Sequence, residues 1–414
     1  MRWKYPLGKI LHPMHYCIGA VKFLTVAVAT SFLTLNASEL ENRKSEIMKH
    51  DLTKKESHRI PQDDGRFSVV SLFSGAGGLD MGFFMEGFNI VWANDLDADA
   101  CNTYKMNIGD HIHCGDIENY LPGLEQFNGK VDVLIGGPPC QGFSVAGKMD
   151  PDDPRSENVW RYLKALEIIR PRAFLMENVK ALGVLEKWGA IRDKLLAGMR
   201  ELGYNASYIV VNASEYNVPQ NRERVLFIGF LDNGKEPLDL VKMLEPYKVA
   251  APTVKETLLQ LDRPGTGSNT NVCNARITFC TSPVMRKSPY AGMLFNGAGR
   301  PIRINGYCST LPASMGGNKT PFIDEEELYN GAESFVEAYH KGLADGSIKP
   351  EFKEAPKRLR RLTVEEAAAI QTFPKGYKFA GARSSMYKQI GNAVPCNLAR
   401  QVAKAIKMHL SETK

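Results

Sequence analysis

Short apolar runs alternate with helical patterns over residues 67–230, and this alternation constrains the fold more than any other feature of the 414-residue chain. Strand-like runs cover residues 68–73, 89–93, 111–114, 131–135, 173–176, 206–211 and 225–230. Helical patterns lie between them near residues 78–87, 97–107, 158–170 and 188–202. Such alternation favours an α/β fold with a doubly wound, mostly parallel sheet.

The alternation ends after residue 230. Residues 231–356 are irregular and rich in Gly, Pro, Ser and Asn, which predicts a second, smaller domain with little regular structure or a long insertion. Helical signals return at residues 363–371, where Thr363 and Glu366 have capping-box spacing, and at residues 395–410. We expect the last helix to pack on the first domain, and place boundaries at 67–230, 231–375 and 376–414.

A cysteine on a stiff turn follows the fourth predicted strand. Pro138 and Pro139 fix the backbone φ angle and remove two amide donors just before Cys140. The turn leaves the sheet at its carboxyl edge, where open α/β sheets bind ligands. A buried structural thiol is the alternative, but the flanking glycines and prolines favour a nucleophile presented to a substrate.

A glycine-rich turn follows the first strand. Glycines at Gly75 and Gly77 allow a cofactor to approach the backbone where a helix begins. A dinucleotide fingerprint requires glycine where this chain has Asp80, which disfavours an NAD-dependent oxidoreductase. Asp95 ends the second strand, where an acid accepts from ribose hydroxyls, and Asp116 follows the third, where an acid accepts from an adenine amine. Ordinary loop acids remain the alternative for each.

Two further polar groups stand at strand ends. Glu177 and Asn178 close the fifth strand, and a carboxyl beside a nucleophilic thiol suggests acid catalysis on the group being attacked. Arg222 and Arg224 precede the seventh strand, and their guanidinium groups suit a phosphate, a carbonyl oxygen or the carboxylate itself. A solvated or structural role is the alternative for the arginine pair.

Six ordered motifs resemble the cytosine-5 DNA methyltransferase family, and the resemblance covers nearly all of residues 67–414. The motifs are Phe73-Ser74-Gly75-Ala76-Gly77-Gly78, Pro138-Pro139-Cys140-Gln141, Glu177-Asn178-Val179, Gln220-Asn221-Arg222-Glu223-Arg224, the stretch from Arg361-Leu362-Thr363 to Gln371-Thr372-Phe373-Pro374, and Gln389-Ile390-Gly391-Asn392-Ala393-Val394-Pro395. The resemblance implies a Rossmann-like, S-adenosylmethionine-dependent methyltransferase sheet at 67–230, a target-recognition domain at 231–375, and a segment at 376–414 that returns to the catalytic domain.

The resemblance also implies a mechanism. Cys140 would add to C6 of a flipped-out cytosine, and Glu177 would hydrogen-bond or protonate N3. Asn178 would orient the loop or the base, while Arg222 and Arg224 would position the base carbonyl. The methyl group would come from S-adenosylmethionine, with no metal. Cofactor contacts are inferred at Phe73, Gly75, Gly77, Leu79, Asp95, Asp116, Asn392 and Val394.

Sequence recognition would belong to the irregular region. The stretch from Ser309 to Lys319 resembles the family's target-recognition segment, and Arg and Lys can serve either phosphates or base edges. Our DNA-recognition candidates are Arg300, Arg303, Thr310, Leu311, Asn318 and Lys319. The expected partner is double-stranded DNA, bound by a monomer in a restriction-modification system with a possible cognate endonuclease. A tRNA methyltransferase and a catalytically inactive DNA-binding regulator are the alternatives.

The first 66 residues lie outside the resemblance. They hold 11 of the 52 Lys and Arg but only 7 of the 46 Asp and Glu, so the rest of the chain is nearly neutral and net charge does not itself indicate nucleic acid. An apolar run at 23–35 imitates a signal peptide, but is too short and polar for a membrane span. We expect a disordered or non-native extension, with Met48 as an alternative start. Eight cysteines without zinc-ligand spacing suggest reduced thiols in the cytoplasm.

Overall fold

A seven-stranded sheet organises the computed structural model, which describes residues 65–139, 157–231 and 236–413. Its strands are β1 (Ser68–Leu72), β2 (Asn89–Asp95), β3 (Ile112–Cys114), β4 (Val133–Gly136), β5 (Ala173–Val179), β6 (Asn205–Asn212) and β7 (Glu223–Phe230). They lie in the order β3-β2-β1-β4-β5-β7-β6, and only β7 runs antiparallel to its neighbours. The predicted mostly parallel sheet is confirmed.

Helices cover both faces of this sheet. They are α1 (Gly78–Met85), α2 (Ala98–Asn107), α3 (Glu157–Ile169), α4 (Lys180–Val184) and α5 (Gly189–Glu201). Successive residues of one strand enter different cores: Leu134 packs with α3 and α5, whereas Val133 packs with α1 and the C-terminal helix. Strands that are buried on both faces have nearly continuous apolar sequences, and this pattern allowed us to predict them.

The chain beyond β7 has more regular structure than we predicted. Its helices are α6 (Leu240–Leu244), α7 (Val254–Leu258), α8 (Glu325–Asn330) and α9 (Phe335–Asp345), and its short strands are β8 (Phe279–Val284), β9 (Met293–Phe295), β10 (Cys308–Ser309), β11 (Phe322–Asp324) and β12 (Leu359–Arg361). β8 pairs with β9 and β11 with β12, and both pairs are antiparallel. Aromatic residues of this region, including Phe279, Phe295 and Tyr339, form a small core of their own.

All four helices were missed because they lie in a stretch whose composition is irregular, and α8 and α9 show what signal was available. Both have clear ends: the Asp324 and Ser334 side chains cap the first turns of α8 and α9, and Gly331 and Gly346 end them with φ of 67° and 78°. Ser334 followed by Glu337 three residues later was a usable start signal.

The C-terminal part is α10 (Val364–Ile370), α11 (Arg383–Asn392) and α12 (Cys396–Glu412). The Thr363–Glu366 capping box predicted for α10 is present. α12 packs on α1 so closely that a Cβ on Gly82 would lie 2.4 Å from the Ala399 Cβ, which confirms the expected return to the first domain. Val254 and Leu258 of the predicted recognition domain share one hydrophobic core with Ile390 and Cys396 of the predicted C-terminal segment. The domain boundaries therefore stay a prediction. None of the helices within the described residues is long and apolar enough to cross a membrane.

Candidate active site

The predicted nucleophile turn, which runs from Gly137 to Cys140, begins at the carboxyl end of β4. Cys140 lies outside the described residues, and the described chain stops at Pro139. The approach to the cysteine is nevertheless fixed, because the buried Asn178 side chain donates from Nδ2 to the Pro138 carbonyl oxygen over 3.1 Å. Asn178 therefore holds the main chain two residues before the cysteine.

A carboxylate lies beside this turn. Glu177, on β5, forms an ion pair with Arg224 of β7, with 2.7 Å between Oε1 and Nε. The two side chains are only 11% and 13% exposed, so the pair is largely shielded from solvent. Glu177 Oε2 lies 3.3 Å from the position of a Cβ on Gly137, which places the carboxylate next to the start of the nucleophile turn.

Arg222 has a different position from Arg224. Its side chain is 1% exposed, and its Nη1 and Nη2 donate to the carbonyl oxygens of Leu311 and Gly391 over 3.2 and 2.9 Å. Both terminal nitrogens thus bind main chain of this protein. We correct the sequence-based expectation that Arg222 positions the base carbonyl: it holds backbone segments together.

The glycine-rich turn forms a cradle at the start of α1. Phe73, Gly75 and Gly77 have φ of 54°, 56° and 84°, a left-handed backbone that favours glycine. The Asp95 carboxylate accepts from the Gly75 amide over 2.7 Å and from the Asp97 amide over 2.8 Å. Burial raises the pKa of Asp95 above its usual value. A Cβ on Gly75 would meet nothing within 4 Å, so this turn faces open space.

The remaining cofactor candidates lie at varied depths. Leu79 and Val394 are buried and Asn392 is exposed. The Val394 carbonyl lies 2.5 Å from the position of a Cβ on Gly78, so the last motif does meet the glycine turn. Asp116 caps a short 3₁₀ turn by accepting from the Glu118 amide, and its Oδ1 lies 3.5 Å from Arg161.

Sequence reasoning missed one feature of this cradle. Leu96, directly after the Asp95 carboxylate, is 71% exposed although it is a large apolar residue. An apolar residue between two aspartates at a strand end was the available signal. It offers an apolar contact surface beside the Asp95 carboxylate.

Asp80, the residue that departs from the dinucleotide fingerprint, is fully buried on α1. Its Oδ1 accepts from the Tyr104 hydroxyl over 2.9 Å, and the same hydroxyl lies 3.1 Å from His111 Nε2. Burial raises the pKa of Asp80 to about 7, against opposing hydrogen bonds from Ser71 and Tyr104. The Asp80 carboxyl is therefore part of the buried packing around the glycine-rich turn and does not face a ligand.

The DNA-recognition candidates divide into exposed and buried residues. Arg303, Thr310, Asn318 and Lys319 are exposed, and Arg300 is partly exposed with Nη1 near the carbonyls of residues 297 and 298. Leu311 is 1% exposed and belongs to the core shared by α7, α10 and α11. The expectation that Leu311 contacts DNA is therefore corrected, because apolar packing occupies its side chain.

Comparisons with known proteins agree with this geometry. Residues 67–408 match the model of the C-5 cytosine-specific DNA methylase family. The chain is 30% identical to the type II methyltransferase M1.HphI of Haemophilus parahaemolyticus over 83% of this chain and 88% of that protein, and 36% identical to M.PspPI of Psychrobacter sp. (strain TA137) over 82% and 79%. The solved Dnmt2 methyltransferase of S. pombe shares the fold at 18% identity, with a TM-score of 0.57 over 84% of this chain and all of that one.

The doubly wound sheet carries a glycine-rich turn and polar groups at its carboxyl edge, which is where open α/β sheets bind ligands. The family match then makes the assignment specific. This chain belongs to the C-5 cytosine-specific DNA methylase family and is a DNA (cytosine-5-)-methyltransferase of the restriction-modification type.

Proposed function

We propose that this enzyme methylates C5 of a flipped-out cytosine within a specific duplex sequence, through a covalent bond between Cys140 and C6 of the base. The observation that carries the proposal is the Glu177–Arg224 ion pair, which lies against Gly137 at the start of the nucleophile turn. A carboxyl at that place can meet the edge of a base whose C6 faces the cysteine.

The chemistry explains these residue types. C5 of cytosine is a poor nucleophile, so a thiolate first adds to C6 and the displaced electron pair reaches N3 and C5. Cys140 supplies the thiolate, and Glu177, once it has taken up a proton, donates that proton or a hydrogen bond to N3 and so stabilises the charge that develops there. Methyl transfer to C5 would leave S-adenosylhomocysteine. Transfer of the C5 proton to a base, return of the N3 proton to Glu177 and expulsion of the Cys140 thiolate would then restore the aromatic ring.

The neighbouring groups position these two residues. Arg224 fixes one oxygen of Glu177 through Nε and leaves the other oxygen beside Gly137. Asn178 holds the Pro138 carbonyl, and the two prolines limit how the following cysteine is presented. A stacked base cannot enter such a site, so the target cytosine must leave the duplex.

The cradle suits S-adenosylmethionine. Asp95 has lone pairs free beyond the two amides that it accepts, which suits ribose hydroxyls, and exposed Leu96 lies next to it. Phe73, Gly75, Gly77, Leu79, Asp116, Asn392 and Val394 complete the proposed contact set. When bound, S-adenosylmethionine supplies an electrophilic methyl group, and no metal is needed.

Exposed or partly exposed residues of the irregular region would contact the DNA: Arg300, Arg303, Thr310, Asn318 and Lys319. Their hydrogen-bonding groups suit phosphates and base edges. As in a type II system, we propose that methylation protects the host's DNA from a cognate endonuclease and that the enzyme acts as a monomer.

Bisulfite sequencing of DNA from cells that express the chain tests this function. The wild-type enzyme should protect one cytosine of a defined sequence from conversion, and Cys140→Ser should leave every cytosine convertible. Uniform conversion with folded wild-type enzyme, or protection by Cys140→Ser, would contradict the proposal. Purified enzyme given S-adenosylmethionine with a labelled methyl group should label duplex DNA and not tRNA.

A further inference from the structure

A buried polar network joins the DNA-recognition region to the cofactor side of the enzyme. The short strand Gln220–Asn221 pairs in parallel with β10 (Cys308–Ser309) and so brings residues 308–313, here called the recognition segment, against the catalytic domain. Gln220 and Gln371 have no exposed surface, and Arg222 is 1% exposed. Buried polar side chains of this size are uncommon unless their partners are in place.

The two glutamines form one continuous chain of hydrogen bonds. Gln220 Oε1 accepts from the Leu311 amide over 2.9 Å, and Gln220 Nε2 donates to Gln371 Oε1 over 2.9 Å. Gln371 Nε2 then donates to the carbonyls of Ile390 and Ala393 over 2.7 and 3.2 Å. The partners fix both amide orientations, because the Leu311 amide needs an acceptor and the two carbonyls need a donor.

Arg222 makes a second link between the same two regions. It donates to the Leu311 carbonyl and to the Gly391 carbonyl, so both main-chain polar groups of Leu311 are held by the network. The backbones are also in direct contact: a Cβ on Gly391 would lie 2.4 Å from the Pro312 carbonyl oxygen. Neither region can shift against the other without breaking these bonds.

The far end of the network reaches the cofactor cradle. Ala393 precedes Val394, whose carbonyl lies against Gly78 at the start of α1. Next to Gln371, Thr372 has a φ of 59°, which is strained for a β-branched residue. Its hydroxyl donates to the Gln371 carbonyl over 2.7 Å and accepts from the Asn397 amide over 2.9 Å, which holds the strained turn in place.

We propose that Gln371 and Gln220 are positioning residues that couple cofactor binding to the ordering of the recognition segment. The coupling rests on the proposed cofactor and DNA sites. A ligand that orders the Val394 side of the network also orders Leu311, so the second ligand loses less conformational freedom when it binds. By linkage, DNA then tightens cofactor binding by the same factor.

Binding of a labelled duplex with and without S-adenosylhomocysteine tests this coupling. The duplex carries the target sequence found by bisulfite sequencing, and anisotropy reports its affinity. Wild-type enzyme should bind the duplex about tenfold more tightly when S-adenosylhomocysteine is present, a typical size for coupling between sites. Gln371→Leu should reduce that factor to below twofold while S-adenosylhomocysteine alone still binds within about threefold of wild type. Gln401→Leu, a buried glutamine of α12 outside the network, should keep the full factor.

Hydrogen exchange provides an independent readout that needs no DNA. S-adenosylhomocysteine should slow amide exchange in a peptide containing Leu311 of the wild-type enzyme, and should not do so in Gln371→Leu. If that variant does not fold, the double variant Gln220→Leu, Gln371→Leu replaces it, since it also removes the buried Gln220 Nε2 that the single substitution leaves without an acceptor.

Full coupling in the folded variant would overturn the proposal, and so would a wild-type enzyme that binds the two ligands independently. Wild-type enzyme that fails to bind S-adenosylhomocysteine would instead contradict the cofactor assignment. The two failures are therefore distinguishable.

Discussion

Replacing Asp80 by asparagine should change how the enzyme's stability depends on pH. Asp80 is completely buried, and burial raises its pKa from 3.8 to about 7. The folded state therefore retains a proton that the unfolded state releases near pH 4. The contribution of this proton to stability is fully present below pH 3.8 and is lost as pH rises to about 7.

The size of the effect follows from the same pKa values. The rise of the Asp80 pKa from 3.8 to about 7 corresponds to a free-energy change of about 4 kcal/mol. About half of this free energy is lost between pH 5.5 and about pH 7. Relative to the wild type, Asp80→Asn should therefore gain about 2 kcal/mol in free energy of unfolding between pH 5.5 and pH 8.5. His111, whose pKa is lowered by burial, acts in the opposite direction, and comparing the two proteins largely removes its contribution.

Urea unfolding of the wild type and the variant at six pH values measures this difference. Asp193→Asn, at a carboxyl whose side chain is 76% exposed, is the matched control and should give a flat difference. Parallel stability curves for wild type and Asp80→Asn across that range would refute the reasoning. So would a variant that loses relative stability as pH rises.

Three further substitutions test the site and the packing. Arg224→Lys keeps the positive charge but removes the Nε that lies 2.7 Å from Glu177 Oε1. We therefore expect kcat to fall about 10- to 100-fold while the affinity for the duplex changes little. An unchanged steady-state kcat would exclude a role for the ion pair in catalysis. Asn178→Ala should slow covalent adduct formation about tenfold by freeing the main chain before the cysteine, and rapid quenching at the wild-type rate would contradict this. Gly82→Ala should lower the free energy of unfolding by about 2–3 kcal/mol, because its Cβ would lie 2.5 Å from the α12 main chain. In the control Gly123→Ala, the new Cβ meets open space, so this substitution should cost under about 0.5 kcal/mol. Equal shifts of the melting temperature in the two variants would argue against the close contact at Gly82.

The fold could be predicted from sequence where hydrophobic periodicity and helix caps are strong. The seven strands and the capped α10 illustrate this, since the local residue pattern was sufficient to locate each of them. The irregular region was harder, because its short elements depend on a small aromatic core assembled from distant segments.

The site was predictable at the level of residue types but not of partners. The arginine motif allowed a pairing with the carboxylate among other roles, but it did not indicate that Arg224 pairs with Glu177 while Arg222 binds the carbonyls of Leu311 and Gly391. Those carbonyls lie 89 and 169 residues further along the chain, and main-chain acceptors leave no pattern in the sequence. Leu311 was misplaced for a similar reason, since its burial depends on helices far away in sequence.

Covalent trapping tests the central claim most directly. Duplex DNA carrying 5-fluorocytosine at the target position, incubated with the enzyme and S-adenosylmethionine, should give a stable adduct, because fluorine at C5 cannot leave as a proton does. Peptide mapping by mass spectrometry should place the modified base on Cys140, and Cys140→Ser should yield no adduct. An absent adduct with folded wild-type enzyme, or an adduct on another residue, would contradict the account.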